Sequence, residues 1–235
     1  MRSAKILIPL VLVAMMTACG PADWLNPCYN DADVTFDPAL VGRWSESDGS
    51  STLRFQKADD NAYEVVYTEV QSDGTRKESK FDGHLVRLGG FLFLDVVPQS
   101  ASANPDSYAF SAAASGDENT LQPHLAKVGD GLYASVVRVQ QASGGKEGSS
   151  YELHLIQAHW VFRVWQDGDT LRLVDLSEDW FKDAVNQGMV KIGHEEVNDT
   201  LVLTASTPDL RAFLLEHAGD ADAFPEPEEG WSRQK

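Results

Sequence analysis

The sequence predicts a mainly β, α+β fold: an antiparallel β-barrel, or a strongly curved meander, followed by two C-terminal helices. Three observations carry this. Short runs of alternating polarity fill most of residues 51 to 176. Turn pairs separate them at Asp73-Gly74, Gly89-Gly90, Asp130-Gly131 and Asp167-Gly168. Two helical stripes with distinct start and stop residues come after residue 176.

The chain opens with Arg2 and Lys5 ahead of an apolar run, Ile6 to Met16, broken only by Pro9. That run is too short to cross a bilayer core of roughly 30 Å as a helix, so residues 1–18 read as a signal peptide. Met16-Thr17-Ala18-Cys19-Gly20 resembles the lipobox of bacterial lipoproteins, with Met16 where the family usually has Leu. The resemblance implies cleavage before Cys19, acylation of that cysteine and anchorage in a bilayer. Several acyl chains hold a protein firmly where one holds it marginally. Gly20 in second place, where Asp is the usual inner-membrane signal, points to the outer membrane facing the periplasm in a diderm host. The alternative is plain secretion with Cys19 bridged to Cys28.

Residues 19–40, with Pro21, Pro27, Pro38 and several Asn and Asp, read as the lipidated terminus and a tether. The barrel-like body spans 41–219. Leu53 and Phe55 alternate with Thr52, Arg54 and Gln56, and Tyr63, Val65 and Tyr67 alternate with Glu64, Val66 and Thr68. Further strands are expected at 84–88, 91–97, 132–140, 151–165 (long enough for a break) and 170–176, about eight before residue 177. The Ser-, Ala-, Asn- and Gly-rich stretches 99–120 and 141–150 read as loop insertions.

Ser177 can cap a first helix with Glu178 and Asp179 at its positive end, a Trp180, Phe181, Ala184 and Val185 stripe, and Gly188 as its stop. A strand at 200–204 precedes a second helix that starts at Thr207-Pro208, buries Leu210, Phe213 and Leu214, and stops at Gly219. Residues 220–235, with Pro225, Pro227 and many acids, read as an acidic flexible tail.

At the start of the body, Gly42-Arg43-Trp44 precedes a strand, a turn and a second strand, and resembles the Gly-x-Trp opening of the lipocalin and calycin barrels. The likeness implies a lipocalin-like eight-stranded antiparallel barrel closed at one end by Trp44. The sequence assigns no partner arginine to that tryptophan, no second lipocalin signature is evident, and the second helix is extra. Leu85 to Pro98, Asp167 to Leu171 and Leu201 to Ala205 are also similar to uncharacterised bacterial lipoproteins, a likeness that implies no activity.

With 19 Lys+Arg against 36 Asp+Glu the chain carries a formal charge of −17. Such a field repels phosphate backbones and argues against nucleic acid as a partner. No Gly-x-Ser-x-Gly elbow or phosphate loop is present. His194-Glu195-Glu196 begins like a zincin motif but lacks the second histidine, and His154 and His159 would face opposite sides of one strand, so neither a metal nor a cofactor is expected. Catalytic residues are therefore not assigned.

Trp160 and Phe162 share one strand face, as do Tyr63 and Tyr67. These four are the candidate lining for a small apolar ligand inside the barrel, the alternative being a packed interior. The expectation is a non-catalytic, bilayer-anchored binding or structural protein that takes an apolar ligand or docks an envelope protein. Two alternatives stand beside it: an envelope hydrolase whose acids and histidines converge only in three dimensions, and an assembly accessory acting through an exposed apolar patch.

Overall fold

A computed structural model describes residues 22–58, 61–99, 157–197 and 200–235, together with the backbone of three strands between residues 124 and 156. Residues 1–18, Cys19, residues 100–120 of the first expected loop, and Asp130 of the Asp130-Gly131 turn pair lie outside the described residues.

The first half of the chain forms β1 (Asp23–Trp24), a 3-10 turn (Asp31–Asp33), β2 (Val34–Thr35), β3 (Gly42–Ser45), β4 (Ser51–Lys57), β5 (Ala62–Val70), β6 (Arg76–Leu88) and β7 (Phe91–Pro98). Then come β8 (His124–Val128), β9 (Gly131–Gln141), β10 (Glu147–Ile156), β11 (Trp160–Asp167) and β12 (Thr170–Val174). The remainder is α1 (Glu178–Asn186), β13 (His194–Val197), β14 (Thr200–Leu203), α2 (Thr207–His217) and β15 (Trp231–Arg233).

Eight of these strands close a barrel in the order β6-β5-β4-β3-β15-β12-β11-β7, with β7 pairing back onto β6. Every neighbouring pair in the ring is antiparallel, so closure removes the exposed edges that an open sheet would present. The turn pairs act as expected: Gly74, Gly89, Gly90 and Gly168 all adopt positive φ between paired strands.

The expected strands form, but not all of them join the barrel. The 151–165 run breaks between β10 and β11, and β8, β9 and β10 form a separate antiparallel sheet. The expected 141–150 loop is correspondingly shorter, because Glu147 already pairs with Gln141. Periodicity marks a strand, but it does not say which sheet the strand joins.

The eighth barrel strand comes from the expected flexible tail. Ala223 and Phe224 are fully buried, and Ser177 donates to the Ala223 carbonyl at 2.9 Å. β15 then bridges β12 and β3. Gly230 permits this approach, because a Cβ there would lie 2.7 Å from the Leu171 carbonyl oxygen. Acids and prolines dominate the local composition, while the few apolar residues that seat the segment are too far apart to make a periodic signal.

Residues 22–40, expected as a tether, are likewise packed. β1 adds in parallel to β14, and Trp24, Cys28 and Leu40 are buried. Trp24 meets Phe213 of α2 edge-on at 6.5 Å. Full burial of such a ring contributes about 2–3 kcal/mol, so it offsets the ordering of about two residues, and the other buried side chains of the segment must supply the rest.

Strand alternation sorts the apolar side chains into two cores. Inward residues such as Leu53, Phe55, Val65, Leu85, Leu94 and Leu171 fill the barrel. Outward residues of β6, β7 and β11, including Val86, Phe93 and Val161, join Phe181 of α1, Leu201 of β14, and Leu210 and Leu214 of α2 in an outer layer. Ser177 caps α1 by accepting from the Trp180 N–H at 3.3 Å, and Pro208 stands in the first turn of α2.

Candidate functional site

The two ends of the barrel differ. At the end where β3 begins and β15 finishes, Trp44 is fully buried and its indole N–H donates to the Leu40 carbonyl at 2.9 Å. The arginine that packs over it, which the sequence left unassigned, is Arg233, its guanidinium carbon 4.3 Å from the ring centroid. Arg233 also donates to the carbonyls of Val41, at 3.0 Å, and Ala39. Gly42 must be glycine here, since its φ is +140° and a Cβ would stand 2.8 Å from an Arg233 nitrogen.

Tyr63 belongs to this plug rather than to an open pocket. It is fully buried, stacks on Phe36 at 4.9 Å and meets Phe55 edge-on. Its hydroxyl accepts from the Asp37 N–H at 2.7 Å and donates to the Asp37 carbonyl at 3.0 Å. Its inward strand position was legible, whereas its depth depends on residues 36–40 folding over the barrel end.

The opposite end is open. A cavity of ≈ 390 Å³ enters there, lined in part by Tyr67, Phe81, Leu94, Trp160, Phe162 and Trp231. Three of the four candidate lining residues, Tyr67, Trp160 and Phe162, thus line this cavity. β5, β6, β11 and β15 position the aromatic rings, with Phe81 and Trp160 centroids 5.4 Å apart and Tyr67 and Trp231 at 6.3 Å. Trp160 is fixed from outside, its indole N–H donating 2.8 Å to Asp23, which is buried on β1. Burial raises the Tyr67 phenol above its ordinary value and so keeps it neutral.

Two carboxylates stand at the mouth, Glu46 and Asp175. Glu46 Oε2 accepts from the hydroxyls of Ser50, at 2.8 Å, and Ser51. Burial, then the Glu178 charge, pushes the Asp175 carboxyl above the usual carboxylate range. A second depression of ≈ 300 Å³ adjoins the mouth through Glu46, Leu173 and Trp231 and adds Asp48 and Glu229.

A second constellation, unmarked in the sequence, forms outside the barrel under the N-terminal segment. His159 Nδ1 lies 2.6 Å from Asp95 Oδ1, and the Cys28 N–H donates to Asp95 Oδ2 at 3.2 Å. The Tyr29 hydroxyl is 3.0 Å from His84 Nδ1, and His84 pairs with Asp95 across β6 and β7. Burial drives the Cys28 thiol well above its ordinary value, and the Asp95 carboxylate adds to this. With Cys28 at 0% and Asp95 at 1% exposure, the cluster pins the N-terminal segment rather than meeting a substrate. Sequence separations of 55 to 67 residues hid it.

His194 and His217 do not join it: His194 packs edge-on against Phe181, and His217 against Trp180. His194-Glu195-Glu196 lies in β13, not on a helix. The side chains of His124 and His154 lie outside the described residues. Compared with family models, curated proteins and solved structures, the chain has no match.

Proposed function

We propose that this chain is a lipid-anchored protein of the bacterial cell envelope whose barrel takes a small apolar ligand through its open end. One observation carries the ligand reading: a ≈ 390 Å³ cavity with an aromatic and aliphatic wall, open at one end and plugged at the other by Trp44 and Arg233. Burying a ligand's apolar surface there is favourable at about 25 cal/mol per Å² before the costs of association.

Val96 lines the cavity, so Val96→Trp obstructs it with an indole ring. The protein should bind the apolar fluorophore N-phenylnaphthylamine saturably at one site, and Val96→Trp should abolish that binding with far-UV circular dichroism unchanged. Absence of saturable binding in the natural sequence, or full binding in the filled variant, refutes the reading.

The anchor rests on Met16-Thr17-Ala18-Cys19-Gly20 and the apolar run that ends directly before Cys19. Cys28, the partner in the competing disulfide reading, is fully buried. The proposed site is the outer membrane facing the periplasm in a diderm host. Cys19→Ala should release the protein from the membrane fraction. An amino-terminal peptide without fatty acyl mass in the natural protein would overturn the anchor.

A further inference from the structure

The mouth of the cavity is chemically one-sided. The described residues lining the cavity and its adjoining depression include Glu46, Asp48, Asp175 and Glu229, but no Lys, Arg or His. Of the Glu46 carboxylate, one oxygen is held by Ser50 and Ser51, while Oε1 has no hydrogen bond among the described residues. The Asp175 carboxylate accepts from no other side chain among the described residues. A half-buried carboxylate without a cationic partner is costly, because burial disfavours its charge. The same cavity is lined by the aromatic side chains of Trp160, Trp231, Tyr67, Phe81 and Phe162.

Carboxylates beside an aromatic wall recognise one chemical class well. An ammonium group gains Coulomb attraction from the former and quadrupole attraction from the latter, and both strengthen as water is excluded. An anionic head meets repulsion from the same carboxylates. The formal charge of −17 over the chain further raises the local concentration of cations.

We infer that the ligand is an amphiphilic cation, its apolar body seated along Phe81, Leu94 and Phe162 and its ammonium head held at Glu46 and Asp175. This rests on the proposed apolar-ligand reading and specifies its chemistry.

Three probes with the same decyl chain and different heads separate the two claims: decyltrimethylammonium, decanol and decanoate. Each is titrated below its micelle concentration into the purified protein and followed by tryptophan fluorescence and calorimetry. Decyltrimethylammonium should bind about tenfold more tightly than decanol, and decanoate most weakly, given about 1–2 kcal/mol for a partly desolvated ammonium contact. Glu46→Gln and Asp175→Asn should each weaken decyltrimethylammonium about threefold and leave decanol unchanged. Raising salt should weaken the cation alone.

Equal binding of all three heads, or variants that affect the cation and decanol alike, overturns the amphiphilic-cation assignment and leaves the apolar cavity standing. Failure of all three to bind removes both. The comparison of heads on the natural sequence is decisive even where a rim variant is unstable.

Discussion

Replacing Arg233 with Ala tests whether the last strand is a structural member of the barrel. The guanidinium donates to the Val41 carbonyl at 3.0 Å and to the Ala39 carbonyl, and stands 4.3 Å over the fully buried Trp44 ring. Two hydrogen bonds from a charged donor contribute about 1 kcal/mol each after competition with water, and the cation–π contact about 1 kcal/mol more. The flanking ion pair to Asp169 adds almost nothing, since that carboxylate is 68% exposed. The loss is therefore about 3 kcal/mol, a fall in Tm of roughly 6–12 °C for a domain of this size. Thermal and urea unfolding followed by far-UV circular dichroism measure it. Arg233→Lys should recover less than half, because an ammonium cannot reproduce the planar fork over the ring and toward two carbonyls. A double-mutant cycle with Trp44→Phe should return a coupling of about 0.5–1 kcal/mol. A loss below about 0.5 kcal/mol in Arg233→Ala, the level of an ordinary surface change, would refute the closed-end account and return residues 220–235 to the status of a tail.

Two further outcomes follow from buried and paired groups. In the Cys19→Ala protein, whose remaining thiol is Cys28, Ellman's reagent should react only as the protein unfolds, because that thiol is 0% exposed and burial keeps it protonated. Rapid labelling of the native protein would show that residues 22–40 do not stay packed. The Arg211 guanidinium, bonded at 2.8 Å to each Asp33 oxygen, holds the Asp33 carboxyl below its ordinary value. A depressed folded pKa stabilises the protein above the unfolded value of about 3.9 and ceases to do so as pH falls through the folded value. Asp33→Asn should thus lower stability by about 1 kcal/mol at neutral pH, with the gap to the natural protein closing in the acid limb below about pH 4. A gap that is constant with pH in denaturant titrations would rule out the ion pair as its source.

The ring of hairpins was legible because each of its signals is local. Alternation in β4 and β5 identifies inward and outward faces within seven to nine residues. Asp73-Gly74 and Gly89-Gly90 supply positive φ where the chain reverses. The Ser177 cap and the Pro208 start bound the helices for equally local reasons. The Gly42 and Trp44 pair announced a closed end without its partner.

Three things were decided only by tertiary structure. Arg233 meets Trp44 across most of the chain, and the three-residue β15 that carries it is too short to show a period. Tyr63 and Tyr67 share one strand face, yet one lies in the plug and the other in the cavity, because depth along a barrel is set by what folds over its end. Cys28, Asp95 and His159 converge from three separate segments. By itself the sequence determined the kinds of local structure, since propensity, alternation and turn chemistry act over a few neighbouring residues. Which strands share a sheet, what seals each end, and which acids face a cavity depend on long-range burial, whose free energy is gained only when distant segments meet.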